Sequence, residues 1–262
     1  MNETQREHSL TLYHFRYSMF PEKVRWALDY KKIPHKRIAL LPGTHPLTLM
    51  PLAKQKCVPV LCTGTQVLTE SSKIVEWLDH TYPNTPLFPQ DQKLRSDIIK
   101  LIEEFDTIGP HARRAYFYAL LKSSDYAAQL FCYGHPNKIQ RRYRRLFPIV
   151  NGIMRVDMNI SKKCAAKSKE QLARGLDRVA ELASKTGYLV GDQFSAADLT
   201  ASAVLMVALL PQEYPVTMPL PYPDNVEQWL GEWRGHPGAD YVTRMYQQHR
   251  GLSAATQDLP EQ

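Results

Sequence analysis

Ser18 stands between a strand-like and a helix-like segment in YHFRYSMFPEKVRWALDY, Tyr13 to Tyr30. A helix start carries unpaired N–H groups and a partial positive charge, so an anion is stabilised there. A serine hydroxyl adds one hydrogen-bond donor, and a thiolate accepts one readily. The plain alternative is that Ser18 caps the helix. A second feature is Val58–Pro59 in CVPVL, Cys57 to Leu61. Val58 is pushed to extended geometry by the proline after it. With a cis bond its backbone could pair with an extended, peptide-like ligand; otherwise Pro59 is an edge-strand proline. The third feature is Glu70–Ser71 in LTESSKIVEWLDHTYP. Ser71 sits where a strand ends and a helix begins, which suits a carboxylate, and Glu70 can meet an ammonium. Both charges on one carbon describe an amino-acid end group. Ser71 alone is an N-cap.

The elements that must position these residues follow from periodicity. LTLYHF (Leu10–Phe15) reads as a strand, and the segment from Pro21 has Val24, Ala27 and Leu28 at helical spacing. KRIALL (Lys36–Leu41) reads as a second strand. PVLCT (Pro59–Thr63) and QVLT (Gln66–Thr69) flank Gly64 as a hairpin. Ile74, Val75, Leu78 and Tyr82 then form one helical stripe. The order is β-α-β, an irregular stretch, then β-β-α. A Pro-rich linker, Pro83 to Asp91, follows, and beyond it almost everything reads as helix. The expected architecture is an α/β module over residues 9–90 and an all-helical domain over residues 91–255.

Composition narrows the rest. The 262 residues give room for a sizeable core, and 44% hydrophobic with 23% charged residues is ordinary for a globular chain. No run approaches the length of a membrane span. The polar start, MNETQREHSL, lacks the apolar stretch of a secretory signal, so a cytoplasmic location is expected. The four cysteines (Cys57, Cys62, Cys132, Cys164) contain no C-x-x-C, and Cys132 with His135 makes only half of a metal site, so no metal is expected. The net charge of +7 admits anionic partners. Its densest basic stretch, KIQRRYRRLF (Lys138–Phe147), lacks the aromatic interleaving of a nucleic-acid module and reads as a solvated helix face.

Taken in order, S-x-F-x-x-K-V-R-W-A-L from Ser18, V-P-V-L from Val58 and L-T-E-S-S-x-I-x-x-W-L-D from Leu68 resemble the N-terminal domain of glutathione transferases. YLVGDQFSAADLTASAVL (Tyr188–Leu205) is similar to a second hallmark of that family, with Ser195 and Asp198 as a capping box and Phe194 and Leu199 as its staple. The resemblance implies a thioredoxin-like domain followed by an all-helical one. It implies glutathione as co-substrate, a homodimer and a role in detoxification. Residue by residue it makes Ser18 the group that activates glutathione. Val58 pairs with the cysteinyl unit, Pro59 is a cis-proline, and Glu70 and Ser71 hold the γ-glutamyl end. Phe20 falls in the same glutathione site. The chain departs from the family where Cys57 precedes V-P, leaving Lys54 or Lys56 for the glycyl carboxylate, and where Met19 and Phe20 follow the serine.

The chemistry then required is ionisation. A thiol titrates near pH 8.5, and only its thiolate is nucleophilic. A hydrogen bond from Ser18 beside a helix start favours that form. The anion attacks an electrophilic carbon or a peroxide oxygen held between the domains. Tyr13 and Tyr17 are competing hydroxyls; Tyr13 reads as a core aromatic, and Tyr17 points to the opposite strand face from Ser18. The second substrate's pocket is expected from IGPHARRAYFYALL (Ile108–Leu121), with Tyr116, Tyr118 and Arg113 or Arg114 facing an aromatic or acidic electrophile, against a reading in which they only pack the bundle. Two other functions stay open: a non-catalytic binding module, and a thiol reductase, which needs a cysteine where Ser18 stands.

Overall fold

The computed structural model describes residues 10–261. The polar N-terminus and the first residue of the expected α/β module lie outside them. The chain starts with β1 (Leu10–His14), α1 (Met19–Tyr30) and β2 (His35–Ala39), a parallel β-α-β unit with Leu10 opposite His35. A short helix α2 (Pro46–Ala53) occupies the stretch that reads as irregular. It has Pro46 at its first turn and Pro51 inside, so helical periodicity is hard to see in eight residues. The hairpin β3 (Val60–Cys62) and β4 (Val67–Thr69) follows, and β3 lies antiparallel to β1 with Leu61 opposite Leu12. Helix α3 (Ser71–Thr81) closes the module.

The helical part comprises α4 (Gln92–Leu120), α5 (Ser124–Phe131), α6 (Asn137–Asp157), α7 (Lys162–Ala183), α8 (Ala196–Leu205), α9 (Asp224–Gly231) and α10 (Pro237–His249). The basic stretch lies on α6, with Arg141, Arg142, Arg144 and Arg145 exposed and Tyr143 and Phe147 buried, as its amphipathic spacing requires. The capping box before α8 is formed. Asp198 Oδ2 accepts from the Ser195 N–H at 2.9 Å, and Ser195 Oγ accepts from the Ala197 N–H at 3.3 Å. Asp198 also accepts from Leu189 N–H and the Tyr241 hydroxyl, both at 2.8 Å, and Phe194 and Leu199 are buried in the same core.

The chain does not end as a helical domain. Residues Ala255–Pro260 form β5, parallel to β2, and complete a sheet of order β4-β3-β1-β2-β5. The expected helical domain ends at residue 255, and the strand that begins there returns to the sheet of the first module. No alternation of apolar residues marks ATQDLP, because β5 is an edge strand and mostly exposed.

Helix α1 is the hub, with ten of its twelve residues buried between the sheet, α3 and α8. Trp26 is fully buried against Tyr246, 4.4 Å between ring centroids, and its Nε1 donates to the His249 carbonyl at 2.9 Å. Charged side chains are buried there as well. Arg25 donates to Glu22 at 2.8 Å, and Arg250 donates to Glu22 at 2.6 Å and to Asp29 at 2.9 Å. Arg37 donates to Asp29 at 2.7 Å. Lys23 meets Asp106 of α4 at 3.0 Å and also Ser72 of α3. Each buried charge is paired, which such burial demands. Together these pairs clamp α1, and with it the loop before α1, to the helical part.

Candidate functional site

A cavity of about 320 Å³ opens between the two parts. The first module lines it with Phe15, Arg16, Tyr17, Ser18, Phe20, Leu40, Pro42, His45, Lys56, Cys57 and Val58. The facing wall is Arg113 and Phe117 of α4, Phe131 of α5, and Val150, Ile153, Met154, Asp157 and Met158 of and after α6.

Ser18 has extended backbone angles (φ −119°, ψ 135°), and its carbonyl accepts from the Glu22 N–H at 2.9 Å, so it is the N-cap residue of α1. Its hydroxyl makes no capping hydrogen bond. The serines before α7 and α8 do cap: Ser161 Oγ accepts from Cys164 N–H at 3.2 Å, and Ser195 from Ala197 N–H. The Ser18 hydroxyl is thus left to the cavity. The loop that carries it is fixed from below, since Arg25 donates to the Phe15 carbonyl at 3.1 Å and Tyr214 donates to the Arg16 carbonyl at 2.6 Å. The competing hydroxyl is engaged. Tyr17 donates to the Thr217 carbonyl at 3.0 Å, and burial pushes its phenol well above the ordinary range. Tyr13 packs, half-buried, with Leu40, Leu49 and Val60 and does not line the cavity.

The Val58–Pro59 bond is cis. Val58 precedes the first ladder pair of β3, Val60 with Tyr13, and among the described residues no hydrogen bond engages its backbone. Thr69 lies opposite Val60 at the end of the β3–β4 ladder, so Glu70 and Ser71 leave that ladder at the end where Val58–Pro59 enters it. They do not line the cavity itself. Glu70 is exposed, holds φ 66°, a conformation costly for a residue with a side chain, and pairs with Lys73 at 2.8 Å. Ser71 is buried at the first turn of α3. Of the two lysines, Lys56 reaches the cavity and Lys54 does not.

The second-substrate residues separate. Arg113 lines the cavity, whereas Arg114 is committed to the Met158 carbonyl at 2.8 Å and Ser168 Oγ at 3.0 Å. Tyr116 is not brought there: it is buried facing a void of about 10 Å³ behind Tyr17. Tyr118 also lies away from the cavity, under the Lys122 ammonium at 4.8 Å.

Sequence reasoning passed over Arg16, His45 and Asp157. Arg16 and Tyr17 form a turn between β1 and α1, so strand alternation does not hold there: both line the cavity beside Ser18, and Tyr17, expected to point away, does not. His45 carries no signal in PGTHP. Its Nδ1 accepts from the Gly43 N–H at 3.2 Å, and burial lowers its pKa, so it faces the cavity as a neutral ring. Among the described residues no group of three His, Cys, Asp or Glu side chains could hold a metal, and the four cysteines are unpaired.

This arrangement, a thioredoxin-like sheet with a free serine hydroxyl facing a helical wall, defines a class. Residues 12–86 match the model described as glutathione S-transferase, N-terminal domain, and residues 126–230 match glutathione S-transferase, C-terminal domain. The chain belongs to the glutathione S-transferase family. It is 35% identical over 129 residues to pyrimidodiazepine synthase of Drosophila melanogaster, covering 48% of this chain and 50% of that protein. It is 38% identical over 88 residues to glutathione S-transferase U1 of Arabidopsis thaliana, covering 33% and 39%. The chain thus spans half or less of the length of these curated relatives. A possible glutathione S-transferase from Rhodopseudomonas palustris superposes with a TM-score of 0.61 at 15% identity, over 94% of this chain and 97% of the other. One from Methylobacillus flagellatus, solved with glutathione bound, gives 0.57 at 20% identity over 89% and 98%. At these identities the structural likeness establishes the fold alone. Among the described residues no helix is long and apolar enough to cross a membrane.

Proposed function

We propose that the protein is a glutathione-dependent transferase in which Ser18 stabilises the glutathione thiolate for attack on a small electrophile or peroxide. The observation that carries this reading is the Ser18 hydroxyl, unspent on its own helix and lining the cavity between the two parts. The other features fit a tripeptide. The unpaired Val58 backbone offers one strand-like hydrogen-bonding edge for the cysteinyl unit. Glu70 and Ser71 leave the β3–β4 ladder at that same end, for the γ-glutamyl group, and Lys56 faces the cavity for the glycyl carboxylate. Phe20 forms part of the wall next to Ser18. Ser18 supplies a hydrogen bond and α1 its N-terminal dipole; each pKa unit by which they lower the thiol corresponds to about 1.4 kcal/mol. Membership of the glutathione S-transferase family supports the same ligand here. A homodimer and a cytoplasmic, detoxifying role belong to the same reading.

The test is glutathione binding and conjugation to a generic chloronitroarene, followed by the thiolate's ultraviolet absorbance. Ser18→Ala should keep glutathione binding within a few-fold while removing the thiolate signal at neutral pH and most of the rate. A protein that neither binds glutathione nor accelerates conjugation is instead a binding module. A second reading, glutathione-dependent thiol reduction, is favoured by one observation: Cys57 is exposed and lines the same cavity next to Val58. Cys57→Ser separates the two, because it leaves conjugation intact and abolishes only a disulfide-reducing activity.

A further inference from the structure

We propose that Arg113 is the receptor for a carboxylate on the second substrate, so that the cavity selects electrophiles with an apolar body and an anionic end. This rests on the transferase reading above and narrows its substrate class. The Arg113 side chain is half-buried on the helical wall, and its Nε is fully buried with no hydrogen-bond partner. Among the described residues its guanidinium makes no hydrogen bond and no ion pair. Other arginines around the cavity are already committed. Arg114 is spent on Met158 and Ser168, and Arg16, on the opposite wall, is held by Asp258 at 2.8 Å. Asp157 lines the same cavity and, with Cys57, acts on Arg113 electrostatically without forming a hydrogen bond or an ion pair with it.

A guanidinium Nε buried without a partner is unfavourable, and the planar fork matches a carboxylate with two parallel hydrogen bonds. The surroundings specify the rest of the ligand. Phe117, Phe131 and Met154 line the same cavity, so the anion is best carried on an apolar or aromatic body. Low polarity around the site strengthens the ionic contact. Assignment to the second substrate follows from the wall. Arg113 projects from α4, facing the wall of Ser18 and Val58 on which the tripeptide is proposed to lie, and Lys56 is on the tripeptide's own side.

The experiment titrates the whole protein with a chloronitrobenzoate and with its neutral amide, each with and without glutathione, and titrates glutathione separately. The benzoate should bind about tenfold more tightly than the amide, the scale of one charge-assisted pair. Arg113→Gln should bring the two together, Arg113→Lys should retain part of the preference, and glutathione affinity should stay within twofold in both. Thermal unfolding of Arg113→Gln should match or exceed the parent, since the side chain has no internal partner to lose. Equal affinities in the parent, or a preference that survives Arg113→Gln, overturns the proposal. So does a tenfold loss of glutathione affinity with the benzoate preference intact, which would assign Arg113 to the glycyl carboxylate. The benzoate-to-amide ratio is read on the protein alone, so failure to bind glutathione overturns the transferase reading without obscuring this result.

Discussion

Asp258, on the last strand of the chain, lies 2.8 Å from Arg16, two residues before Ser18 on the wall of the cavity. The contact closes a ring. β5 pairs with β2, the Thr256 hydroxyl donates to the His35 carbonyl at 3.1 Å, and the Glu261 N–H donates to the Ala39 carbonyl at 2.9 Å. Asp258 also faces His14 Nε2 at 3.8 Å. Arg25 can only donate, so His14 Nδ1 must accept from it at 2.8 Å and the ring proton sits on Nε2, toward Asp258. Burial would raise the Asp258 carboxyl, but His14, Arg16 and Arg37 outweigh it and hold its pKa at about 2.

Asp258→Ala should therefore loosen Arg16 and, through it, the loop carrying Ser18. The carboxylate is partly exposed, so the stability loss should be only about 1 kcal/mol. The functional effect should be larger in proportion: a rise in KM for the anionic electrophile of about threefold, as expected for a displaced binding wall. Thermal unfolding and steady-state kinetics measure both. An unchanged KM would show that the strand is structural only. Because the folded pKa lies below the ordinary value, this contribution is complete above about pH 4 and vanishes as pH falls toward 2.

Arg250 gives a stability prediction. It is fully buried, and its two carboxylate partners, Glu22 and Asp29, are buried on α1. Arg250→Ala leaves both carboxylates short of a cation, although Arg25 still holds Glu22 and Arg37 still holds Asp29. Breaking a buried pair in this way costs about 3–5 kcal/mol. Urea unfolding should show that loss, and Arg250→Lys should recover part of it. A loss below 1 kcal/mol would mean that the remaining arginines suffice.

Gly109 links packing to the site. A Cβ added there would lie 2.5 Å from the Phe20 ring, and Phe20 lines the cavity. Gly109→Ala removes a helix-weakening residue, a gain of up to about 1 kcal/mol, yet forces the ring aside. The net expectation is near-neutral stability with a several-fold rise in the KM for glutathione, because the displaced ring moves into the peptide's space. If binding is unaffected, Phe20 has room to swing away and is not a wall of the peptide site.

What the sequence disclosed divides along physical lines. β1, α1, β2, the hairpin and α3 were legible because each has a local period and turn residues at its ends. The capping box before α8 was legible because four consecutive positions define it. β5 was not, since an exposed edge strand needs no apolar pattern and its partner is more than 200 residues away in the chain. The burial of Lys23, Arg25 and Asp29 carries no local signal. Their partners include residues distant in the chain, Asp106, Tyr214 and Arg250, which complete the pairing that Glu22 and Arg37 begin. Of the residues singled out in the sequence, Ser18, Phe20, Lys56, Val58 and Arg113 line the cavity, while Tyr116 and Tyr118 do not: helical phase alone does not say which neighbour a face meets.

Three buried histidines set the response to acid. Burial lowers His14 to about 3, and His35 and His135 to about 4. The geometry supports neutrality at His35, whose Nδ1 donates to the Ile33 carbonyl at 2.8 Å while Nε2 accepts from Arg37 at 2.9 Å. A proton on Nε2 would abolish the second bond. In the unfolded chain all three titrate near their ordinary value of 6.5, so below that pH the unfolded state binds more protons and stability rises with pH. The contribution is complete above about pH 7 and is lost progressively as pH falls toward 4. At its steepest, near pH 5, the slope should approach about 4 kcal/mol per pH unit. Urea unfolding at a series of pH values measures the slope, and calorimetry in two buffers of different ionisation enthalpy counts the protons taken up. Uptake of about three protons is expected for the parent, and one fewer for His135→Gln. Uptake below one proton would mean that these rings are already charged in the folded protein, and the neutral assignment at His14 and His35 would fall with it.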